Sequence, residues 1–568
     1  MKKRAVIIST VVIFGFFIVL LRMVDIMLVN HDRFLAKAQF QQVRKKAVPV
    51  KRGIIYDRKG RELAINLDTE SIFCDPSEIA SPEKAAAVLS KTMNVEPKAY
   101  LAKLTGDGRF NWLERKQSPD LGSRINSLKL RGIGTITEPK RSYPKGRLAS
   151  QILGFVDIDN NGIEGIERQY NKMLVAQPEH VKVHRDARGN MLSDGTMKEL
   201  KGSNIILTID EGLQYILEKN LFEAMHLWKA ASATGIIMSP ETGEILAMSS
   251  MPDYDPNEPG SSRPEQRRNR SLTDIYEPGS TFKIIAGVAA LEEKAVSPSS
   301  KFDCSAGSIE VGGKRIKDSH KNGVLSFREV IQKSSNVGII KIALKLGKEK
   351  IYDYIKLFGF GEKTGIDMAG EIPGLLRPVN RWSGLSIGSI SIGQEVGVTP
   401  LQVLRAYAVI ANGGYIVTPY LISEIRTPDG GLLHKTVPQA ERIVSENTAD
   451  TFRDILKTVT QEGGTALEAA VDGNSVAGKT GTAQIIDPRT KRYSKDKYVS
   501  SFVGFVPADK PRLAMIVVIH EPKGKIYGGA VAGPVFKKTA DEALSYMSVP
   551  RDDMHEKGLL LISTTDRR

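Results

Sequence analysis

Between Lys2-Lys3-Arg4 and Arg22 lies an uncharged, mostly apolar run, Ala5 to Leu21; after Arg22 and Asp25 the apolar pattern resumes to Val29. No other stretch restricts the chain so tightly. Its length matches one membrane span of roughly 20 residues. A cleaved signal peptide has a shorter apolar region and a small-residue cleavage site. This run instead ends Leu21-Arg22-Met23-Val24-Asp25. The expectation is a permanent single-pass anchor over residues 5–29. The positive N-terminus, residues 1–4, stays in the cytoplasm. Everything after about residue 30 then lies outside the plasma (inner) membrane, in the periplasmic or extracytoplasmic space. Arg22 and Asp25, three apart near the outer end, are read as snorkelling to the interface.

With 568 residues the chain exceeds one compact core, so two or more domains are expected. The net charge of +15 is spread among many acids and forms no concentrated basic stripe. Nucleic-acid binding is set aside on that ground; attraction to anionic membrane or wall polymer suits the charge better. Cys74 and Cys304 are far apart and read as buried free thiols, and the eight histidines do not cluster. Neither a metal nor a cofactor is expected.

Residues 30–200 read as a non-catalytic pedestal for dimerisation or interaction. A helix continues out of the membrane from about His31 to Val48. Two short β runs then flank Asp57-Arg58-Lys59-Gly60 as a hairpin, and Ser81-Pro82-Glu83-Lys84 opens an Ala-rich helix. A second domain spans 201–548. It starts with a strand at Ile205–Ile209 and a long amphipathic helix carrying Leu213, Ile216, Leu217, Leu221 and Met225. A hairpin over 234–248 follows, then a mostly helical middle from Ser280 to about Thr460. Strands at 476–485, 500–506 and 513–520 and a helix over 535–546 close the domain. Strands at both ends with helices between them give an α+β class, one antiparallel sheet covered by helices. Residues 549–568 are expected to form a poorly ordered tail.

Three short motifs carry chemistry, and each has a decoy. Ser280-Thr281-Phe282-Lys283 follows the turn-forming Pro278-Gly279 and enters a run with Ile284, Ile285, Val288 and Leu291 at helical spacing. Positions i and i+3 share a helix face, so Lys283 Nζ is placed to take the proton of Ser280 Oγ. A lysine acts as that base only when burial or a second cation lowers its pKa. Ser81-x-x-Lys84 has the same spacing, but Ser81 reads as an N-cap before Pro82. Ser334-Ser335-Asn336 precedes an apolar run and could relay a proton and hold an amide; Ser445-Glu446-Asn447 reads as a helix cap. Lys479-Thr480-Gly481-Thr482 lies in a strand, where a cation with hydroxyls can bind a carboxylate. Gly481 there allows close approach of a substrate backbone. Lys363-Thr364-Gly365 reads as a structural turn. The ordered set of Ser-x-x-Lys, Ser-x-Asn and Lys-Thr-Gly outweighs any member, and Lys479 is the second cation that Lys283 requires.

With these motifs the chain resembles the class B penicillin-binding proteins, membrane-anchored peptidoglycan D,D-transpeptidases. The resemblance rests on Arg52-Gly53-Ile54-Ile55-Tyr56-Asp57-Arg58-Lys59-Gly60, Gly162-Ile163-Glu164-Gly165-Ile166-Glu167, Tyr276 to Lys283, Lys333 to Gly338 and Gly478 to Gln484. Arg268-Asn269-Arg270 and the stretch Tyr527 to Phe536 make it look most like the division-specific FtsI type. The resemblance implies the penicillin-binding-protein transpeptidase fold on an elongated N-terminal pedestal. It implies attack by Ser280 on the D-Ala-D-Ala carbonyl of a stem peptide, with Lys283 as base. Backbone N–H groups of Ser280 and Thr482 would form the oxyanion hole. Ser334 would relay the proton, Asn336 would hold the substrate amide, and Lys479, Thr480, Gly481 and Thr482 would bind the carboxylate end or that of a β-lactam. It also implies septal cell-wall synthesis beside a membrane glycosyltransferase of the FtsW kind and other divisome membrane proteins. Ser391 to Glu395 and Tyr498 to Phe502 are read as bordering the cleft, with packing as the ordinary alternative.

Three alternatives remain open at this point. An elongation-specific class B transpeptidase shares the motifs. A β-lactamase would need a placed deacylating carboxylate, and none stands out. An inert divisome scaffold would use the span and pedestal and leave the cleft idle.

Overall fold

The computed structural model describes residues 2–34, 43–47, 50–176, 180–185, 191–192, 200–487, 489–490 and 492–552. Helix α1 covers Lys2–Val24 and passes into a single π-helical turn, Asp25–Val29. Together they make one helix long and apolar enough to cross a membrane, with a mean hydropathy of 2.6. Arg22 Nη1 lies 2.6 Å from Asp25 Oδ2, so the two charges neutralise each other one helical turn apart.

The expected helix from His31 to Val48 is corrected. His31 to Phe34 are helical, but Val43–Ala47 is a strand antiparallel to His180–Arg185. The remainder of that stretch, residues 35–42 and 48–49, lies outside the described residues.

The chain divides into two compact units. One comprises Met1–Lys51, Asp68–Pro139 and Val175–Gly202; the other comprises Arg52–Leu67, Lys140–Leu174 and Ser203–Arg568. Two stretches expected in the pedestal, Arg52–Leu67 and Lys140–Leu174, thus pack with the larger unit. Within the smaller unit, Pro82–Met93, Pro97–Leu104 and Pro119–Ser127 are helices beside the strand Asn111–Gln117. Ile72, Cys74, Leu89, Tyr100, Leu113 and Ile125 form its apolar core.

In the larger unit two motifs distant in sequence meet. Arg52 Nη2 and Arg141 Nε each lie 2.5 Å from a carboxylate oxygen of Glu167, and all three side chains are buried. Arg52 also donates to the carbonyl of Asn160 and to Asn171 Oδ1, both at 2.6 Å. A buried carboxylate is tolerated only when its charge and lone pairs are answered, and here two guanidinium groups answer one. Around this triad Tyr143, Ile152, Leu153 and Ile166 join the same core as Ile205 and Leu213.

The expected antiparallel sheet is present, with strands β1 (Ser232–Met238), β2 (Ile245–Met251), β3 (Ala477–Ile486), β4 (Tyr493–Val506) and β5 (Leu513–His520). Their order is β2–β1–β5–β4–β3, and every neighbouring pair is antiparallel. β3, which carries Lys479 to Thr482, is thus an edge strand. Strands β1, β2 and most of β5 are buried along their whole length. Their sequences read as continuous apolar or small runs because helices cover both faces of the sheet. Helices α2 (Glu211–Leu227) and α6 (Gly533–Tyr546) pack together on one face. The other face carries α5 (Pro400–Ala411), with α3 (Lys283–Glu292) and α4 (Asn336–Leu346) beyond it. α2 starts where Asp210 Oδ1 accepts Gly212 N–H at 2.9 Å, an N-cap that Tyr546 O–H at 2.8 Å ties to the end of α6.

The expected mostly helical middle also holds a hairpin, Ser308–Val311 with Lys314–Lys317. The latter strand reads Lys-Arg-Ile-Lys, too charged to give an apolar alternation. At the C-terminus the chain stays tied past residue 549, since Asp552 accepts from Ser475 N–H at 2.8 Å and Oγ–H at 2.7 Å. Residues 553–568 lie outside the described residues.

Candidate active site

Ser280 stands on a short 3-10 turn, Gly279–Phe282, that leads directly into α3. The turn packs against edge strand β3 at a separation and a backbone angle that favour glycine. A Cβ on Gly279 would lie 3.1 Å from Thr482 O and 3.6 Å from Thr482 N, and Gly279 has φ +55°. Gly393 closes the other side: its Cβ would meet Gly279 O at 2.1 Å, and Gly279 N–H donates to Gly393 O at 3.1 Å. Three segments thus converge on the nucleophile with their backbones nearly touching. The Ser280 hydroxyl makes no hydrogen bond among the described residues, and it borders an open cleft.

α3 is buried almost all round, from Lys283 to Ala290, as a helix through a protein interior must be. Lys283 is about 1 % exposed. Its Nζ does not bond Ser280, as the i, i+3 spacing had suggested. It donates instead to Ser334 O at 2.5 Å, Ser334 Oγ at 3.2 Å and Asn336 Oδ1 at 2.8 Å. Lys479, equally buried, reaches the same hydroxyl from β3, with Nζ 2.9 Å from Ser334 Oγ. Ser334 holds φ +57°, an uncommon conformation for a residue with a side chain. That conformation places one hydroxyl between two lysines.

Burial brings Lys283 from the ordinary 10.5 down to about 7 even with Asp318 pulling in the opposite direction. Burial also holds Lys479 well below its usual value, and the neighbouring charge of Lys283 lowers it further. The expected dependence of Lys283 on a second cation is therefore secondary. A dry site is the first cause, and the like-charge effect is felt chiefly by Lys479.

Asp318 is the residue that sequence reasoning missed. Its carboxylate accepts Ser335 Oγ–H at 2.8 Å, the Val337 N–H at 3.0 Å and the Asn336 N–H. It anchors the positive end of α4 from 18 residues upstream of Asn336, with no local sequence signal. Asn336 has its carboxamide engaged at both ends, Oδ1 to Lys283 and Nδ2 to Lys317 O at 2.9 Å. This fits a residue that positions Lys283; holding a substrate amide would require one of those bonds to break.

On β3, Thr480 Oγ1 lies 3.0 Å from Thr465 Oγ1, and Thr482 Oγ1 accepts Gly528 N–H at 3.0 Å. Both threonines line a cleft of about 690 Å³ together with Ser280, Ser334 and Asn336. Gly481 needs glycine for a reason internal to the fold: a Cβ there would lie 2.4 Å from Ser501 Oγ and 2.9 Å from Pro278 O. Gly528 is similar, its Cβ falling 2.3 Å from Gly481 O and from Ser501 O. Ile392, Gln394 and Tyr498, from stretches read mainly as packing, also border the cleft.

The decoy motifs resolve as structure. Ser81 occupies the N-cap position before Pro82, though its hydroxyl makes no cap bond. Ser445 caps its helix through Thr448 N–H at 3.3 Å. Thr364 N–H donates to Glu371 at 2.7 Å inside a buried turn. Arg268 and Arg270 both bind Asp274, at 2.5 and 2.7 Å, and shape the turn that leads to the nucleophile.

Comparison with known proteins agrees with this geometry. The penicillin binding protein transpeptidase domain matches residues 233–541, and the penicillin-binding protein dimerisation domain matches residues 47–207. The peptidoglycan D,D-transpeptidase FtsI of Escherichia coli is 34% identical over 540 residues, 94% of this chain and 90% of that protein. Stage V sporulation protein D of Bacillus subtilis is 35% identical over 578 residues, covering 98% and 88%. Among solved structures, penicillin binding protein 3 from Mycobacterium tuberculosis in complex with aztreonam superposes with a TM-score of 0.70 at 28% identity, covering 89% of this chain and 98% of that one. A turn-borne serine, two buried lysines meeting at one hydroxyl and these matches along the chain lead to one conclusion: the protein belongs to the penicillin-binding proteins, in the FtsI-type class B group that joins a dimerisation domain to a transpeptidase domain.

Proposed function

We propose that this chain is a serine-type peptidoglycan D,D-transpeptidase that β-lactams inactivate, working at the outer face of the plasma membrane in septal wall synthesis. The observation that carries the reading is the Ser334 hydroxyl shared by Lys283 and Lys479 beside an unbonded Ser280 hydroxyl. Near neutral pH much of Lys283 is uncharged. As a neutral amine it donates two protons, to Ser334 O and Asn336 Oδ1, and keeps a lone pair for the proton of Ser280.

Ser280 Oγ then attacks the carbonyl of the penultimate D-Ala, and its proton passes to Lys283. Backbone N–H groups of Ser280 and Thr482 face the developing oxyanion; each such donor is worth roughly 3 kcal/mol in rate. Lys283 returns the proton through Ser334 Oγ to the departing D-Ala nitrogen, and the C–N bond breaks to leave an acyl-enzyme. The amine of a second stem peptide attacks, its proton restores Ser280, and one amide has replaced another. Lys479, Thr480 and Thr482 hold the terminal carboxylate of the donor or of a β-lactam. Asn336 keeps Lys283 in place.

Intact-mass spectrometry tests the chemistry. Penicillin adds its mass to the wild-type chain and not to Ser280→Ala; an undiminished adduct on the variant removes the assignment. Turnover of a thioester stem-peptide analogue with an amine acceptor separates an enzyme from an inert scaffold.

The septal role draws support from relatives named FtsI. A relative of comparable identity carries a sporulation name. A tagged copy is expected at midcell in vegetative cells, beside a glycosyltransferase of the FtsW kind and other divisome membrane proteins. A side-wall pattern would favour elongation instead. The N-terminus lies in the cytoplasm, following the Lys2-Lys3-Arg4 charge before the span.

A further inference from the structure

The hairpin Ser308–Val311/Lys314–Lys317 is attached to the start of α4, and the chain that leaves it borders the cleft. Two bonds fix it there: Lys317 O accepts Asn336 Nδ2 at 2.9 Å, and Asp318 holds the start of α4. Beyond Asp318 the chain continues as Ser319-His320-Lys321, and Ser319, His320 and Asn322 line the cleft with Lys333.

The charge balance of this segment is one-sided. From Lys314 to Lys321 the sequence reads Lys-Arg-Ile-Lys-Asp-Ser-His-Lys. Its one acid, Asp318, turns its carboxylate inward to Ser335, Val337 and Asn322 Nδ2. Glu310 sits opposite Arg315 across the hairpin. Glu329, the acid nearest Lys333, is held by Ser326 N–H at 2.7 Å and Oγ–H at 2.6 Å in its own helix cap. The side chains of Lys333 and His320 make no hydrogen bond or ion pair among the described residues. Gly463, Gly464, Thr465, Gly528 and Gly529, which also line the cleft, carry no charge.

On the transpeptidase reading, a donor peptide held at its C-terminal carboxylate by Thr480 and Thr482 has Ser280, His320 and Lys333 along the same cleft. We propose that Lys333 and His320 form a carboxylate subsite for the donor stem peptide. It takes an anionic side arm on the residue preceding D-Ala-D-Ala, so that a diamino dicarboxylic acid is preferred to its amidated form. Lys333 supplies the charge, and His320 supplies a ring N–H that is available even in the neutral imidazole. The inference rests on the transpeptidase reading and adds to it a substrate class.

The test uses two thioester stem-peptide analogues that differ only in this carboxylate or carboxamide. Acylation of the detergent-solubilised full chain is followed by intact mass. Wild type acylates with the carboxylate analogue ~5-fold faster at low salt, the size of a partly exposed charge pair, and the ratio shrinks as salt rises. Lys333→Glu reverses the preference, a result that general damage to the fold does not produce. Equal rates in wild type, or a carboxylate preference that survives Lys333→Glu combined with His320→Ala, overturn the subsite and leave the transpeptidase reading standing. Failure of both analogues to acylate Ser280 removes that reading and this inference with it.

Discussion

Lys283→Met tests the claim that a dry site, and not a neighbouring charge, makes this lysine a base. Lys283 is about 1 % exposed, and burial takes it from 10.5 to about 7. That difference amounts to ~5 kcal/mol of lost charge stabilisation. Between the two values the unfolded chain binds a proton that the folded chain has released. Stability therefore rises with pH across that window, by up to ~1.4 kcal/mol per pH unit. Below about 7 the full penalty applies; above 10.5 it is gone. Methionine removes the proton but leaves Ser334 O and Asn336 Oδ1 without this donor, at ~1–3 kcal/mol each, so the net effect at pH 7 is small. The difference in pH dependence is not small. From pH 7 to pH 9 wild type should gain ~2 kcal/mol relative to Lys283→Met. Equilibrium denaturation of matched solubilised samples at the two pH values reads this directly, because other titrating groups largely cancel. Lys479 makes the outcome sharper, since removing the Lys283 charge also relieves Lys479 and flattens the variant's own curve. In parallel, penicillin acylation of wild type should rise with pH through about 7, and the variant should not acylate. Parallel stability curves for the two proteins would refute the reasoning and return Lys283 to an ordinary, solvated lysine.

Two other perturbations follow from the same structure. Glu167→Ala leaves Arg52 and Arg141 facing each other in the core and should cost ~3–5 kcal/mol, read as a lower denaturation midpoint. Asp318→Asn removes the group that raises Lys283, so the acid limb of the penicillin acylation profile should move below about 7; a role confined to packing would lower the rate at every pH and leave the limb in place.

The elements of the sheet were legible wherever sequence pattern and structure obey one rule. β1, β2 and β5 are fully or almost fully buried, and their apolar runs announce themselves. The Lys314–Lys317 strand did not, because a surface hairpin can be built from charged residues when its partner strand supplies the pairing. The helix expected to continue from the membrane failed for a related reason. Val43–Ala47 reads Val-Arg-Lys-Lys-Ala, and its strand state is fixed by His180–Arg185, over a hundred residues later. That residues 52–67 and 140–174 pack with the larger unit leaves no linker-like trace, because the contacts that join them, the Arg52–Glu167–Arg141 triad among them, are long-range.

At the site, residue types were legible and geometry was not. Spacing placed Ser280 and Lys283 on one turn but could not show that Lys283 turns to Ser334 and Asn336. A left-handed φ at Ser334 and an aspartate anchoring a helix from 18 residues upstream leave no periodic trace in a sequence. The glycines are instructive in the same way. Gly481 suggested room for a substrate, yet its missing Cβ makes room for Ser501 and Pro278, and Gly279 and Gly393 let three backbones meet at the nucleophile. The lysine pair then acquires its meaning from the enclosure. Two ammonium groups sharing one hydroxyl cannot both keep ordinary pKa values out of water, so the packing that brings Ser334 between Lys283 and Lys479 also supplies the free amine that Ser280 requires. Loosening that packing should therefore weaken the base even with every motif residue still in place.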